Sequence, residues 1–298
     1  MIESPLVAIG LPITCFFLMI GIGLTLTPQE FAHEIKHPKA ILVASVAQLL
    51  LMPALSFVIA WTLSLPPLLA IGLVTIAACP GAATAPVMTY LARANVHLSI
   101  VLTVINSMLI IVSLPILVNL AINSQPVSVD EAIVVPVPHT MALLFGVVLV
   151  PVILGMVIRA RVPNTAARME KAVSIFGAVE LVALIVAIMI SLGSKVFEYL
   201  AQAGVAVALL NLGGIAIGIS VLTLARLPVA SRIAGGMELG IKNGALGMVI
   251  AIAVVGSEEV AVPFVAYGIV MYFSASMIVL YARHRARSSV HVVDGVTV

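Results

Sequence analysis

Residues 237 to 249 read Met-Glu-Leu-Gly-Ile-Lys-Asn-Gly-Ala-Leu-Gly-Met-Val and place two charges, Glu238 and Lys242, inside an apolar run long enough to cross a bilayer. An ionisable group in hydrocarbon is costly, so such groups face a protein interior or a wet cavity and serve the passage of ions or charged substrates. On a helix Glu238 and Lys242 share one face, in the favourable acid-before-base order, and are expected to pair. Asn243-Gly244 is a turn dipeptide and predicts an interruption of the helix. Close helix packing alone would account for Gly240, Gly244 and Gly247, but not for the charges.

A second interrupted run lies in the other half. Residues 79 to 90 read Cys-Pro-Gly-Ala-Ala-Thr-Ala-Pro-Val-Met-Thr-Tyr. Pro80-Gly81 breaks a helix because proline lacks an N–H and its ring clashes with the preceding turn. Pro86 is a further expected break. One interrupted membrane-length run in each half points to a transporter binding site, with half-helix ends meeting near the bilayer midplane.

His33-Glu34-Ile35-Lys36-His37 matches the His-Glu-x-x-His pattern, in which two imidazoles on one helix face hold zinc and the glutamate acts as base. Here it occupies a short connector closed by Pro38, with no third ligand. A solvated loop explains it better than an intramembrane metalloprotease, and no metal site is expected. Other polar residues fall within apolar runs. Gln48 is expected to face the bundle, for transport or for an interhelical hydrogen bond; Ser99 and Thr103 fall in the fourth span, where Asn106 and Ser107 fit as packing polar groups; Glu180 is a third intramembrane charge, for a cavity, proton transfer, an interhelical bond or the interface, and Asn211 is a further buried amide candidate.

These residues need helices to position them, and composition supplies the class. The chain has 298 residues, 62% hydrophobic and 9% charged, with mean hydropathy +1.27. That is an all-α polytopic membrane protein. Cys15 and Cys79 form neither a disulfide framework nor a metal pattern. Met-Ile-Glu-Ser-Pro lacks the basic start of a signal peptide, so the first run is expected to stay as a span. Nine spans are expected, roughly 5–26, 40–64, 67–91, 98–121, 138–158, 172–194, 203–225, 233–255 and 261–282. With the N-terminus outside, the inner segments collect 12 of the 14 Lys and Arg, leaving only Lys195 outside and Lys242 within a span. The two halves then run in opposite orientations, as in an inverted repeat. Trp61, Tyr199, Tyr267 and Tyr281 fall near span ends, where interface anchors belong. Residues 283–298 are expected to form a short, flexible cytoplasmic tail.

With these residues in view, the chain resembles the bile acid:sodium symporter family. The matching stretches are Gly23-Leu-Thr-Leu-Thr-Pro28, His37-Pro-Lys39, Ala47-Gln-Leu-Leu-Leu-Met-Pro53, Cys79-Pro-Gly81, Val87-Met-Thr-Tyr-Leu-Ala-Arg93, Pro151-Val-Ile-Leu-Gly155 and Glu238-Leu-Gly-Ile-Lys-Asn-Gly244. The resemblance implies one transporter domain over 1–298. Its core would hold the spans near 40–121 and 203–282, and its panel those near 5–26 and 138–194. Two broken helices would cross in the core, with an organic anion beside the crossing and two sodium ions near it. Gln48, Ser99, Thr103 and Glu238 stand at cation-site positions and keep an oxygen. The family's Ser-Asn pair is replaced by Ala85-Pro86, and its Gln after Glu-x-Gly-x is replaced by Lys242. Ala83, Thr84, Asn243 and Gly244 stand at substrate positions, with Ala83 where the family has Thr.

The expected function is secondary transport of a small organic anion, a carboxylate or sulfate metabolite, across a plasma or inner membrane. No cofactor is called for beyond Na+ or H+ as coupling ion, and Lys242 favours a sodium-independent mode. A sodium-coupled symporter with one degenerate site is the alternative, followed by a non-transporting membrane sensor. The expected partners are the anion and the lipid bilayer, with no nucleic acid and no evident protein.

Overall fold

A computed structural model describes residues 5–25, 27, 32, 34, 36, 38–125, 135–169, 172, 173, 175, 176, 179, 186, 190 and 193–293. Among them the chain is helical. Five helices are long and apolar enough to cross a membrane: α2 (Pro38–Thr62), α5 (Val96–Asn123), α6 (Val137–Arg161), α7 over Phe197–Leu224, and α10 over Glu258–His284. Shorter apolar helices accompany them. They are α1 (Pro5–Leu24), apolar over Pro12–Leu24, α3 (Pro67–Ala78) and α9 (Gly244–Val254). Two further helices, α4 (Thr84–Leu91) and α8 (Val229–Gly240), are separated from α3 and α9 by short non-helical linkers.

The outside of the bundle is greasy and the inside holds the polar groups. Trp61 is 83% exposed, and Ile269, Phe273 and Leu280 are exposed along α10. Gln48, Ser99, Thr103, Asn106, Asn211, Glu238 and Lys242 are all buried. A bilayer solvates the first kind of side chain and not the second, so polar groups must find partners inside.

Prolines shape the long helices. Widened π-type turns occupy Ala47–Leu51 in α2 and Phe145–Leu149 in α6. Each lies two residues before a proline, Pro53 or Pro151, whose ring would strike the preceding turn of an ordinary α-helix. In α2 the Met52 N–H reaches back to Ala47 O. The wider turn at 47–51 carries Gln48 with it, and that side chain lies at the heart of the site.

Within the bundle α7 packs on α8 and α10, α3 packs between α5 and α10, and α1 packs chiefly on α6. The α1–α6 contact depends on two glycines. A Cβ on Gly23 would lie 2.9 Å from the Gly155 Cα, and one on Gly155 would lie 2.8 Å from the Gly23 Cα. Any side chain at either position would push the two backbones apart.

Three expectations change. Tyr267 is not an interface anchor: it is 2% exposed, and its hydroxyl donates to Gly240 O. The expected flexible tail is instead helical through Val293, because nothing from Ala282 to Val293 is a glycine or proline that would stop α10 (Glu258–Val293). Pro86 does not break a helix. It is the third residue of α4, in the first turn, where its N–H would have no intrahelical partner.

Candidate functional site: the crossing of two interrupted helices

The interruption after α3 follows from local sequence. Pro80 cannot donate to the last turn, and the residue before a proline prefers extended backbone. Cys79 accordingly adopts φ −64°, ψ 147°. The interruption after α8 begins at Ile241, also extended at φ −103°, ψ 107°. It ends at Asn243, whose Oδ1 accepts the Leu246 N–H at 3.0 Å and so caps α9.

The two extended linkers lie antiparallel, with Gly81 opposite Lys242 in an isolated bridge. The Asn243 N–H donates to Pro80 O at 3.0 Å, and the Ala82 N–H donates to Ile241 O at 3.1 Å. Each break therefore supplies backbone partners that the other needs, which is the condition for irregular chain at membrane depth.

The exposed carbonyl ends of α3 and α8 are capped by side chains. At α3, Gln48 Nε2 donates to Ala77 O at 3.0 Å and to Cys79 O at 2.9 Å. Lys242 Nζ donates to Cys79 O at 3.2 Å and to Gln48 Oε1. A cation at a helix C-terminus is favoured by the helix dipole. At α8, Gly240 O accepts from Asn211 Nδ2 at 2.7 Å and from the Tyr267 hydroxyl at 2.9 Å. Tyr267→Phe removes one of these two donors and is expected to cost about 1 kcal/mol. Asn211→Leu with Tyr267→Phe strips the carbonyl of both and is expected to cost more than the two single changes added together, read by denaturation of the purified protein in detergent.

Glu238 and Lys242 are 0% and 1% exposed, and they do not pair as expected. The helix ends at Gly240, so the four-residue spacing no longer sets them on one face. Lys242 turns toward α2 and α3. Glu238 turns toward α5, where Oε2 accepts from Thr103 Oγ1 at 2.9 Å and from Ser99 Oγ at 3.4 Å. Its Oε1 lies against Gly81, whose backbone N–H faces the carboxyl group and where a Cβ would strike it.

Beside the crossing opens a cavity of about 540 Å³. Ala83, Thr84, Lys242, Asn243 and Gly244 line it, as does Pro86. Pro80, Gly81, Gln48, Ser99, Thr103 and Glu238 do not line it. Two wall residues escaped sequence reasoning. Tyr272 of α10 has its hydroxyl 3.2 Å from Thr84 Oγ1, and Arg159 lies in the last turn of α6. Arg159 looks in sequence like any basic residue at the inner end of a span, and Tyr272 like any aromatic in one.

Of the other candidates, Ser107 bonds to Thr103 O within its own helix, and both amide atoms of buried Asn106 lack hydrogen-bond partners. Glu180, His33 and His37 lie outside the described residues. Among the described residues no group of three His, Cys, Asp or Glu could hold a metal.

Comparison with known proteins gives the family. The chain is 32% identical over 287 residues to the probable sodium/metabolite cotransporter BASS2, chloroplastic, of Oryza sativa subsp. japonica, which covers 95% of this chain and 65% of that protein. It is 30% identical to the uncharacterized sodium-dependent transporter YocS of Bacillus subtilis (strain 168), over 89% of this chain and 80% of that protein. It is 29% identical to the probable sodium/metabolite cotransporter BASS1, chloroplastic, of Arabidopsis thaliana, over 86% of this chain and 61% of that protein. The chain thus spans less than two thirds of the two plant proteins. These relatives are named as transporters and not as enzymes. The model of the Sodium Bile acid symporter family matches residues 12–199, and the chain is a member of that family, an integral membrane protein.

Proposed function

We propose that the protein is a secondary transporter of a small organic anion in which the Lys242 ammonium does the work of a coupling sodium ion. The observation that carries this reading is the position of Nζ, held by Gln48 Oε1 and Cys79 O at the C-terminus of α3. Side-chain amide and backbone carbonyl oxygens at a helix C-terminus are ligands that a hard cation seeks. A sodium ion about 4 Å from the ammonium would be repelled by on the order of 4 kcal/mol at an effective dielectric of 20. Ala85 and Pro86 bring no side-chain oxygen to replace what is lost. The substrate's carboxylate or sulfate binds at the start of α4 and α9, whose first N–H groups have no intrahelical acceptor, beside Thr84 and Asn243.

In this reading the chain makes nine crossings, eight of them by α1 to α10 with α3–α4 and α8–α9 as interrupted spans in two oppositely oriented halves, and one near 172–194, a stretch that lies largely outside the described residues. The helices α1 and α6 belong to a panel and the rest of the described helices to a core. The N-terminus lies outside, and the side rich in arginine is cytoplasmic.

One observation favours a second reading. The buried Glu238 carboxyl group stands with the Ser99 and Thr103 hydroxyls, and this oxygen cluster would suit a single sodium ion or a proton. The relatives' names also speak of sodium. Uptake of labelled organic acids into proteoliposomes, in sodium and in potassium and with and without a proton gradient, separates the readings. Equal uptake in sodium and potassium is the expected result. Uptake that requires sodium would overturn the tethered-cation reading, and uptake that requires only a proton gradient would make Glu238 the coupling group.

A further inference from the structure

A second cation lines the cavity from a helix that takes no part in the crossing: Arg159, in the last turn of α6. The Arg159 Nε is withdrawn from solvent and has no hydrogen-bond partner. Among the described residues lining the cavity none carries a carboxylate, and Lys242 gives its Nζ to Gln48 and Cys79. A donor held away from water and left unpaired is costly. A ligand that brings its own acceptors relieves that cost, and a planar guanidinium fits a carboxylate or phosphate through paired N–H bonds.

Much of the remaining lining is apolar, with Met19, Ile22, Val87, Ile100 and Met271. Thr84, Asn243 and Tyr272 add polar groups. The volume of about 540 Å³ falls in the range of about 300–1,000 Å³ typical of pockets for drug-sized ligands.

We infer that Arg159 is a specificity-determining residue that receives a second anionic group of the substrate, so that the transported molecule is an organic dianion with an apolar middle. One anionic group sits at the starts of α4 and α9 and the other on the Arg159 guanidinium. The inference rests on the proposed transport of an organic anion and adds to it the number and placement of the charges.

The test is uptake into proteoliposomes of α,ω-dicarboxylates of increasing length, each beside the monocarboxylate of equal length, for the unaltered protein, Arg159→Gln and Arg159→Lys. The unaltered protein should prefer dicarboxylates and show an optimum length. Arg159→Gln should raise the KM for dicarboxylates at least about tenfold, the loss of a charge-assisted contact, and the KM for monocarboxylates by clearly less. Arg159→Lys, which keeps the charge and loses the fork, should fall between them. The Lys variant also serves if the Gln variant does not fold. An unchanged dicarboxylate preference in the variants, or an equal loss for both ligand classes, would overturn the inference and leave organic-anion transport standing. If the unaltered protein moved neither class of acid, the proposed function would fail, and this inference with it.

Discussion

Gly81→Ala is expected to abolish uptake and to destabilise the protein by about 3 kcal/mol or more. The added methyl would point straight into the Glu238 carboxylate. If the carboxyl group gives way, it loses Thr103 and Ser99, and each buried polar group left unsatisfied costs about 1–3 kcal/mol. If the backbone gives way, the bonds from Asn243 to Pro80 and from Ala82 to Ile241 stretch, and two helix breaks lose their shared partners. Denaturation in detergent measures the first effect and proteoliposome uptake the second. A double-mutant cycle with Glu238→Ala identifies the cause. Removing the carboxylate makes room for the methyl, so the combined loss should be smaller than the sum of the single losses. Simple additivity would show that the collision is not what matters.

Lys242→Gln is expected to turn an uptake that ignores sodium into one that sodium stimulates at least about tenfold. The change removes the charge that repels a cation and adds an amide oxygen next to Gln48 Oε1 and Cys79 O. The repulsion lifted, on the order of 4 kcal/mol at 4 Å and a dielectric of 20, corresponds to more than the tenfold change asked for. Lys242→Met is the contrasting variant. It removes the charge without adding an oxygen, leaves Gln48 Oε1 buried without its ammonium donor, and should lose uptake in sodium and potassium alike. Sodium stimulation of the unaltered protein, or none in Lys242→Gln, would count against the tethered cation.

The sequence shows the class of this fold because hydropathy and proline are local signals. The breaks at Cys79-Pro80 and before Asn243 follow from a missing N–H and from a capping side chain, each evident within a few residues. The direction in which a buried charge points is not local. Glu238 and Lys242 look paired by helical spacing, but the helix ends between them at Gly240, and only the packing of α2, α3 and α5 sends one side chain each way. Tyr267 reads as an interface residue by its place in the chain, whereas the carbonyl it caps belongs to Gly240 on another helix. Arg159 is hidden for a different reason. The rule that gathers arginine on one side of a membrane accounts for it fully, so nothing remains in the sequence to mark a role in the cavity.

The ammonium of Lys242 is joined to the chain by covalent bonds, and under the proposed function this decides what can drive the cycle. A sodium ion is released on the far side and leaves its gradient's energy with the substrate. A lysine side chain makes the return trip each time, so over a complete cycle its own charge has moved nowhere. The net current is then the substrate's alone. Against a membrane potential that is negative inside, each unit of negative charge moved inward costs about 2.3 kcal/mol per 100 mV, and a dianion costs twice that. Such a protein is a natural exporter of acids that accumulate in the cell, or an exchanger of one anion for another. Reversing the imposed potential should reverse the favoured direction of flux.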